Sequence, residues 1–253
     1  MILSSPVLSV RLARDAAEHA EAERLRYDIF VRELGGDGEM VDHETGRERD
    51  RFDAVTEQLL LIDEARPESA RIVGLYRLLD DEGAARMGQF YTEDEFDLAP
   101  LKRSGRRLLE LGRSCLHRDY RGGTAMFRLW QGLAAHIEAR GIEILFGTAS
   151  FQGADPRAHL GPLALLGRDH LAPPELRVTS RQVDHDAMPV VADLDRAAAM
   201  RVMPPLIKAY LRIGGRVGQG VFSDRAFNTT DVCMILDMNL AHAGQRARYG
   251  ARG

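Results

Sequence analysis

Between Arg107 and Ser150 the chain runs RLLELGRSCLH, then RDYRGG, then an amphipathic stretch from Thr124 to Arg140 closed by Gly141, then IEILFGTAS. An apolar run, a glycine turn, a helical period and a second apolar run together make a strand–turn–helix–strand unit. Two such strands must bury their faces against helices, which places the chain in the α/β or α+β class. Gly141 suits the left-handed residue that ends a helix.

Upstream, residues 7–13 (VLSVRLA) alternate like a first strand. Asp15 is placed to N-cap a long helix, DAAEHAEAERLRYDIFVREL, whose Leu25, Ile29 and Phe30 recur at helical spacing and which Gly35-Gly36 ends. The acid-rich loop that follows, GDGEMVDHETGRERDRFD, is too polar to pack by itself. Gln58–Asp63 and Arg71–Leu79 flank the turn-forming ARPESA and predict a hairpin. Downstream, Asp155–His170 is predicted helical despite Pro162, LAPPELRV is a linker, and a helix follows Pro204-Pro205. Val221–Phe222 and Asp231–Asp237 are late strands. The expected organisation is one domain over residues 1–240, with 155–218 a C-terminal helical extension within it and a disordered Gly/Arg-rich tail over 241–253.

The composition removes several classes of function. With 253 residues, 45% of them hydrophobic, the chain can build a large core. Its net charge of -4 and pI near 6.1 argue against a nucleic-acid binder, although local basic clusters remain able to dock an acidic partner. Cys115 and Cys233, the two cysteines, lie in apolar runs and are expected as buried free thiols in a reducing cytoplasm. The N-terminus lacks a signal-peptide pattern, and no apolar run approaches the ~20 residues of a membrane span. A cytoplasmic protein is expected, at most resting on the inner membrane.

No G-x-S-x-G elbow, no His followed five residues later by Asp, no Walker A sequence and no paired metal-ligand spacing occurs, so neither metal nor resident cofactor is expected. His43 and His117 read as solvated or locally hydrogen-bonded. What remains is charge inside a strand. Glu110 stands among leucines in RLLELGRSCL, where an unpaired carboxylate costs several kcal/mol. Strict alternation sets Arg113 on the opposite face, unless Gly112 hosts a β-bulge that turns both toward one cleft. The pair is either an edge-strand ion pair or a general base beside a cation. The following loop sets Arg118, Arg121, Gly122, Gly123 and Thr124 at a helix start, where open amides and positive charge suit a phosphate. Glycine-rich turns of this kind are also common punctuation.

At these residues the chain resembles the GNAT superfamily, which implies an acyl-CoA N-acyltransferase-like fold, a central mixed sheet flanked by helices, that holds the donor's phosphopantetheine or pyrophosphate at such a turn. The usual acetyl-CoA form is Arg/Gln-x-x-Gly-x-Gly/Ala; read from Arg121, this chain has Thr124 and Met126 at the small positions. A carrier-protein donor presents one phosphodiester rather than a pyrophosphate, so the departure favours acyl carrier protein over acetyl-CoA. The chain is similar to acyl-homoserine-lactone synthases in LRYDIF around Arg26, DRFD with Asp50 and Asp53, VGLYR ending at Arg77, and ELGRS with Glu110 and Arg113. PPLIKAYLRIGGRVGQG and FNTTDVCMIL look more specifically like the ornithine acyl-[acyl carrier protein] N-acyltransferases of ornithine-lipid synthesis.

That resemblance implies transfer of a 3-hydroxyacyl group from the phosphopantetheine thioester of acyl carrier protein, as co-substrate, to the α-amino group of L-ornithine. It implies Glu110 as the base, its pKa raised by burial, and Arg113 steadying Glu110 or the acceptor carboxylate. Arg26, Asp50, Asp53 and Arg77 would bind the acceptor, with a structural ion pair the equal alternative for Asp53 and Arg77. Arg118, Arg121, Gly122, Gly123 and Thr124 would hold the phosphopantetheine. Lys102, Arg103, Arg106 and Arg107 are candidates for carrier docking, and Lys208, Arg212 and Arg216 for anionic lipid; each set also reads as a solvated helix face. Glutamine, homoserine or another amino acid as acceptor, an acyl-homoserine-lactone synthase, and an inactive GNAT-fold sensor or docking module remain the competing readings.

Overall fold

The computed structural model describes residues 6–185 and 187–240, so the expected disordered tail lies outside the described residues. The strands are β1 (Leu8–Leu12), β2 (Glu57–Asp63), β3 (Ile72–Asp80), β4 (Phe96–Asp97), β5 (Leu108–Leu116), β6 (Ile144–Gln152), β7 (Thr179–Ser180), β8 (Arg216–Val217), β9 (Phe222–Asp224) and β10 (Thr229–Asp237). The α-helices are α1 (Ala16–Arg26), α2 (Asp81–Met87), α3 (Ala99–Arg103), α4 (Ala125–Arg140), α5 (Leu160–Asp169), α6 (Arg196–Val202) and α7 (Pro205–Arg212). They fall into two compact units, residues 1–88 with 111–141, and residues 89–110 with 142–253. The strand β5 passes from the second into the first between Glu110 and Leu111.

In the first unit β1, β2 and β3 pair antiparallel, with Leu60 opposite Leu75 and Gln58 opposite Arg77. The hairpin expected around ARPESA is present, carrying a bulge at Leu61/Ile62. Side chains alternate across this sheet. Leu60, Ile62 and Leu75 meet Ala22, Leu25 and Ile29 of the first helical segment on one face. On the other, α4 comes so close that a Cβ at Gly132 would stand 2.2 Å from Val10 Cγ1. Asp15 caps α1 as expected, its Oδ1 accepting from Ala17 and Glu18 N–H at 2.9 Å. The helix then changes pitch: Tyr27–Glu33 is π-helical, and Leu34 N–H bonds back to Ile29 O, five residues away.

The second unit holds the strand–helix–strand ends that the sequence anticipates. β5 and β6 run parallel, with Leu108, Leu109 and Glu110 opposite Ile144, Leu145 and Phe146. β10 pairs antiparallel with β6 over its whole length, and β8 and β9 add to it. Pro162 sits in the first turn of α5, where its missing N–H breaks no helical bond. Segment 155–218 carries α5, α6 and α7 but also β7 and β8; β7 pairs with β4. Both cysteines are buried free thiols, and burial pushes Cys115 up to about 12.

Candidate active site

Arg26, the last residue of α1, is fully buried. Its Nε donates to Glu48 Oε2 at 2.5 Å, and its two terminal nitrogens grip Asp53 at 2.5 and 2.8 Å. Glu48 Oε1 in turn accepts from Arg113 Nε at 3.0 Å, Arg113 reaches Asp50 Oδ2 at 3.0 Å, and Arg77 joins Asp50 at 2.7 Å to Asp53 at 3.4 Å. The contacts close on themselves: Arg26, Glu48, Arg113, Asp50, Arg77, Asp53 and back to Arg26. Three guanidinium groups and three carboxylates alternate, so the ring is neutral although largely buried.

DRFD supplies two ring members for a local reason. Asp50 and Asp53 form a capping box on the single turn Arg51–Ala54, with Phe52 N–H bonding to Asp50 and Asp50 N–H to Asp53, both at 2.8 Å. The acidic loop was expected to be too polar to pack. Its end is nevertheless buried, Glu48 at 1% and Phe52 at 1% exposure, because α1, β3 and β5 supply three arginines. Glu48 is the member that sequence reasoning missed; in RERD nothing distinguishes it from its charged neighbours.

Burial works against ionisation of Asp53 and Glu48, but the charges and hydrogen bonds of Arg26, Arg77 and Arg113 outweigh it and hold both carboxyls below their usual range. Groups of this kind bind protons more readily in the unfolded chain, so stability rises with pH across their titration. Their contribution is complete above about pH 5 and is lost as pH falls through and below about 4. Urea unfolding should therefore give a free energy that climbs from about pH 3 to about pH 6, with a shallower climb in Glu48→Gln. Equal slopes in the two proteins would remove Glu48 from this account.

Arg113 has φ +50, the left-handed region that non-glycine residues rarely adopt. The irregularity expected at Gly112 thus falls one residue later, on the residue whose side chain the ring clamps. Such a backbone costs on the order of 1–3 kcal/mol and persists only where the surroundings over-determine it.

Glu110, at 3% exposure, meets a different set of partners in the second unit. Its Oε2 accepts from Tyr91 N–H at 2.8 Å, and its Oε1 accepts from Thr92 N–H at 2.7 Å and Thr92 Oγ1–H at 2.5 Å. These amides begin the short 3₁₀ turn Tyr91–Asp94, whose first N–H groups the carboxylate satisfies. Phe90 packs edge-to-face on Phe146, the residue opposite Glu110 across the β5–β6 ladder. The sequence led us to expect burial to dominate the behaviour of this carboxyl. Three donors to its oxygens stabilise the anion and oppose that effect.

At the glycine turn, Arg118–Tyr120 form one 3₁₀ turn and Gly122 takes φ +78. Gly122, Gly123 and Thr124 are exposed at the start of α4, and Thr124 makes no side-chain cap bond. Arg118 is exposed, whereas Arg121 is spent on Leu116 O at 3.0 Å and Glu33 at 2.7 Å. His43 bonds the Tyr27 hydroxyl at 3.0 Å, and His117 caps the 3₁₀ turn. Of the first basic cluster, Lys102 pairs with Glu93 and Arg106 with Asp237, while Arg103 and Arg107 stay exposed. On α7 and β8, Lys208 donates to Arg201 O and Arg216 to Asp169 O; Arg212 is exposed.

Comparison with known proteins places these residues in context. An acetyltransferase (GNAT) domain family matches residues 25–131, the span that contains the whole ring, Glu110 and the glycine turn. The chain is 52% identical, over 96% of its length and 95% of the relative's, to an L-ornithine N(alpha)-acyltransferase of Rhodobacter capsulatus. It is 40% identical to one of Brucella abortus, over 96% of this chain and 89% of that one. Among solved structures it matches a CoA-dependent acyl-homoserine lactone synthase, BjaI, at TM-score 0.52 and 16% identity over 96% of this chain and 90% of that one. It also matches FeeM, an N-acyl amino acid synthase from uncultured soil microbes, at TM-score 0.51 and 12% identity over 94% of each. Both likenesses concern the fold.

Proposed function

We propose, from the premise that this chain belongs to the L-ornithine N(alpha)-acyltransferase family with its GNAT domain, that it transfers a fatty acyl group to the α-amino group of L-ornithine. The observation that carries the chemistry is Glu110: a buried carboxylate held in one orientation by three donors, three residues before a left-handed Arg113. As base, Glu110 takes a proton from the acceptor's ammonium, directly or through one water. The freed nitrogen lone pair attacks the thioester carbonyl carbon. The carbonyl becomes an oxyanion, stabilised by amides of the irregular stretch of β5. Its collapse breaks the C–S bond, and the departing thiolate takes up the proton that the nitrogen sheds. No covalent enzyme intermediate arises, and no resident metal or cofactor is assigned to the reaction.

The donor we assign is the phosphopantetheine thioester of acyl carrier protein, carrying a 3-hydroxyacyl chain. Its phosphodiester would lie at the exposed start of α4, against the amides after Gly122 and Gly123 and beside Thr124 and Arg118. Arg121, already bonded to Glu33, would shape the turn. Exposed Arg103 and Arg107 fit the acidic carrier. The ring of Arg26, Asp50, Asp53, Arg77, Arg113 and Glu48 balances its own charges, which supports a role in fixing the backbone of β5 at Arg113. The product is a lyso-lipid, so Lys208, Arg212 and Arg216 suit a transient cytoplasmic-face contact with anionic lipid.

Incubation of purified protein with 3-hydroxyacyl carrier protein and ornithine should release free carrier thiol, with ornithine faster than glutamine or homoserine by at least about tenfold. The corresponding CoA thioester should react more slowly. Thiol release equal with and without any amino acid would overturn the reading, and a preference for glutamine would correct its acceptor.

A further inference from the structure

We infer that Thr92 is a positioning residue for the base: its hydroxyl and amide together fix Glu110 Oε1, so that proton exchange with the acceptor runs through Oε2. The inference rests on the reading of Glu110 as the base, and goes beyond it by naming the residue that orients and tunes that base.

The geometry is local and buried. Thr92 has no exposed surface, and both of its donors, N–H at 2.7 Å and Oγ1–H at 2.5 Å, converge on the same carboxylate oxygen. An ionised carboxyl oxygen offers two in-plane lone pairs. Thr92 alone is sufficient to occupy both on Oε1, while Tyr91 N–H addresses Oε2 at 2.8 Å. Rotation about the last Glu110 torsion would break all three bonds at once. The turn that carries Thr92 is itself fixed: Glu93 caps it through Phe90 N–H at 2.8 Å and pairs with Lys102 at 2.9 Å, and Phe90 is wedged against Phe146. The arrangement calls for a hydroxyl donor at this position, which a valine of the same shape does not supply.

A hydroxyl donating to a carboxylate favours the charged form, so losing it makes the base easier to protonate. Glu93 and Glu95 lie in the segment that carries Thr92, Arg113 lies three residues on in the chain, and Cys233 on β10 feels the Glu110 charge. The Cys233 thiol is kept protonated by burial and by the Glu110 charge, so it brings no competing anion to the site.

The test is the pH profile of kcat/KM for thiol release from 3-hydroxyacyl carrier protein with saturating ornithine. Thr92→Val should move the acidic limb upward by about one pH unit, with the rate approaching that of the wild type on the alkaline side. Thr92→Ser, which keeps the donor, should restore the original midpoint. A purely structural role would lower the amplitude at every pH and leave the midpoint where it was, and that outcome overturns the inference. If Thr92→Val does not fold, Thr92→Ala read at the same midpoint carries the test. Glu110→Gln run alongside separates the two layers. An inactive Glu110→Gln with an unshifted Thr92→Val sinks the role of Thr92 alone, whereas an active Glu110→Gln sinks the base and Thr92 with it.

Discussion

Replacing Glu110 by glutamine should lower kcat/KM for acyl transfer by about 10²–10⁴-fold, the contribution of a positioned general base. The substitution preserves volume, and the new amide oxygen still accepts from Thr92. Its NH₂ group faces Tyr91 N–H, donor against donor, where Glu110 Oε2 now accepts at 2.8 Å. That mismatch costs roughly 1–3 kcal/mol of stability. The loss of rate should therefore exceed anything that partial unfolding explains in a protein whose unfolding free energy typically lies at about 5–15 kcal/mol. Thiol release and urea unfolding on the same preparation make the comparison. Turnover within a few-fold of the wild type, with the fold intact, would remove Glu110 as base.

The second large effect is on stability. Glu48→Ala should cost about 3–5 kcal/mol, because it leaves Arg26, which has no exposed surface, and Arg113 sharing one carboxylate fewer. If charge balance is the cause, the double substitution Glu48→Ala with Arg26→Met should be less destabilising than the sum of the two singles, since the remaining ring is again neutral. Urea midpoints of the four proteins decide it. Additive losses would mean that Glu48 matters for packing rather than for balance.

The strand–helix–strand of residues 107–152 and the 57–80 hairpin were legible because period, glycine and turn residues all agreed, and each is a local signal. Asp15 likewise needed only its own helix. The change of pitch at Tyr27–Glu33 left no trace, since apolar spacing is shared by α- and π-windings over so few residues. The polar loop was misjudged because the partners of Glu48 lie 22 and 65 residues away on other elements. Its burial is a tertiary fact with no local signature. The short β4 and β7 are held by pairing with each other rather than by propensity and passed unseen, as did α6, although Asp195 caps its Ala-rich sequence.

The same division between local and tertiary signals holds at the candidate site. Glu110 and Arg113 stood out as charges inside an apolar strand, whereas Arg26, Asp50, Asp53 and Arg77 came from the family resemblance; the structure joins five of the six in one ring, with Glu48 as its sixth member. The donors to Glu110 were not anticipated. Thr92 sits in FYTED, where a threonine before acids reads as an ordinary turn. Only the return of β5 past that turn makes it a partner.

The passage of β5 between the two units also sets an order of assembly. As the chain is synthesised, the first unit has all its residues once Gly141 has emerged, while the second then consists only of residues 89–110. Phe96, Leu98, Leu101, Leu108 and Leu109 are fully or nearly fully buried in the finished protein, yet the parallel strand that covers the last two begins at Ile144. A chain emerged only as far as Gly141 would therefore display every residue of the first unit with an adhesive apolar segment inserted in its sequence. Domains generally fold from the N-terminus during synthesis, and transiently exposed apolar surface is what chaperones recognise. No single cut in this chain separates the two units cleanly: a cut after Gly141 leaves residues 89–110 of the second attached to the first, stripped of the strands that bury them.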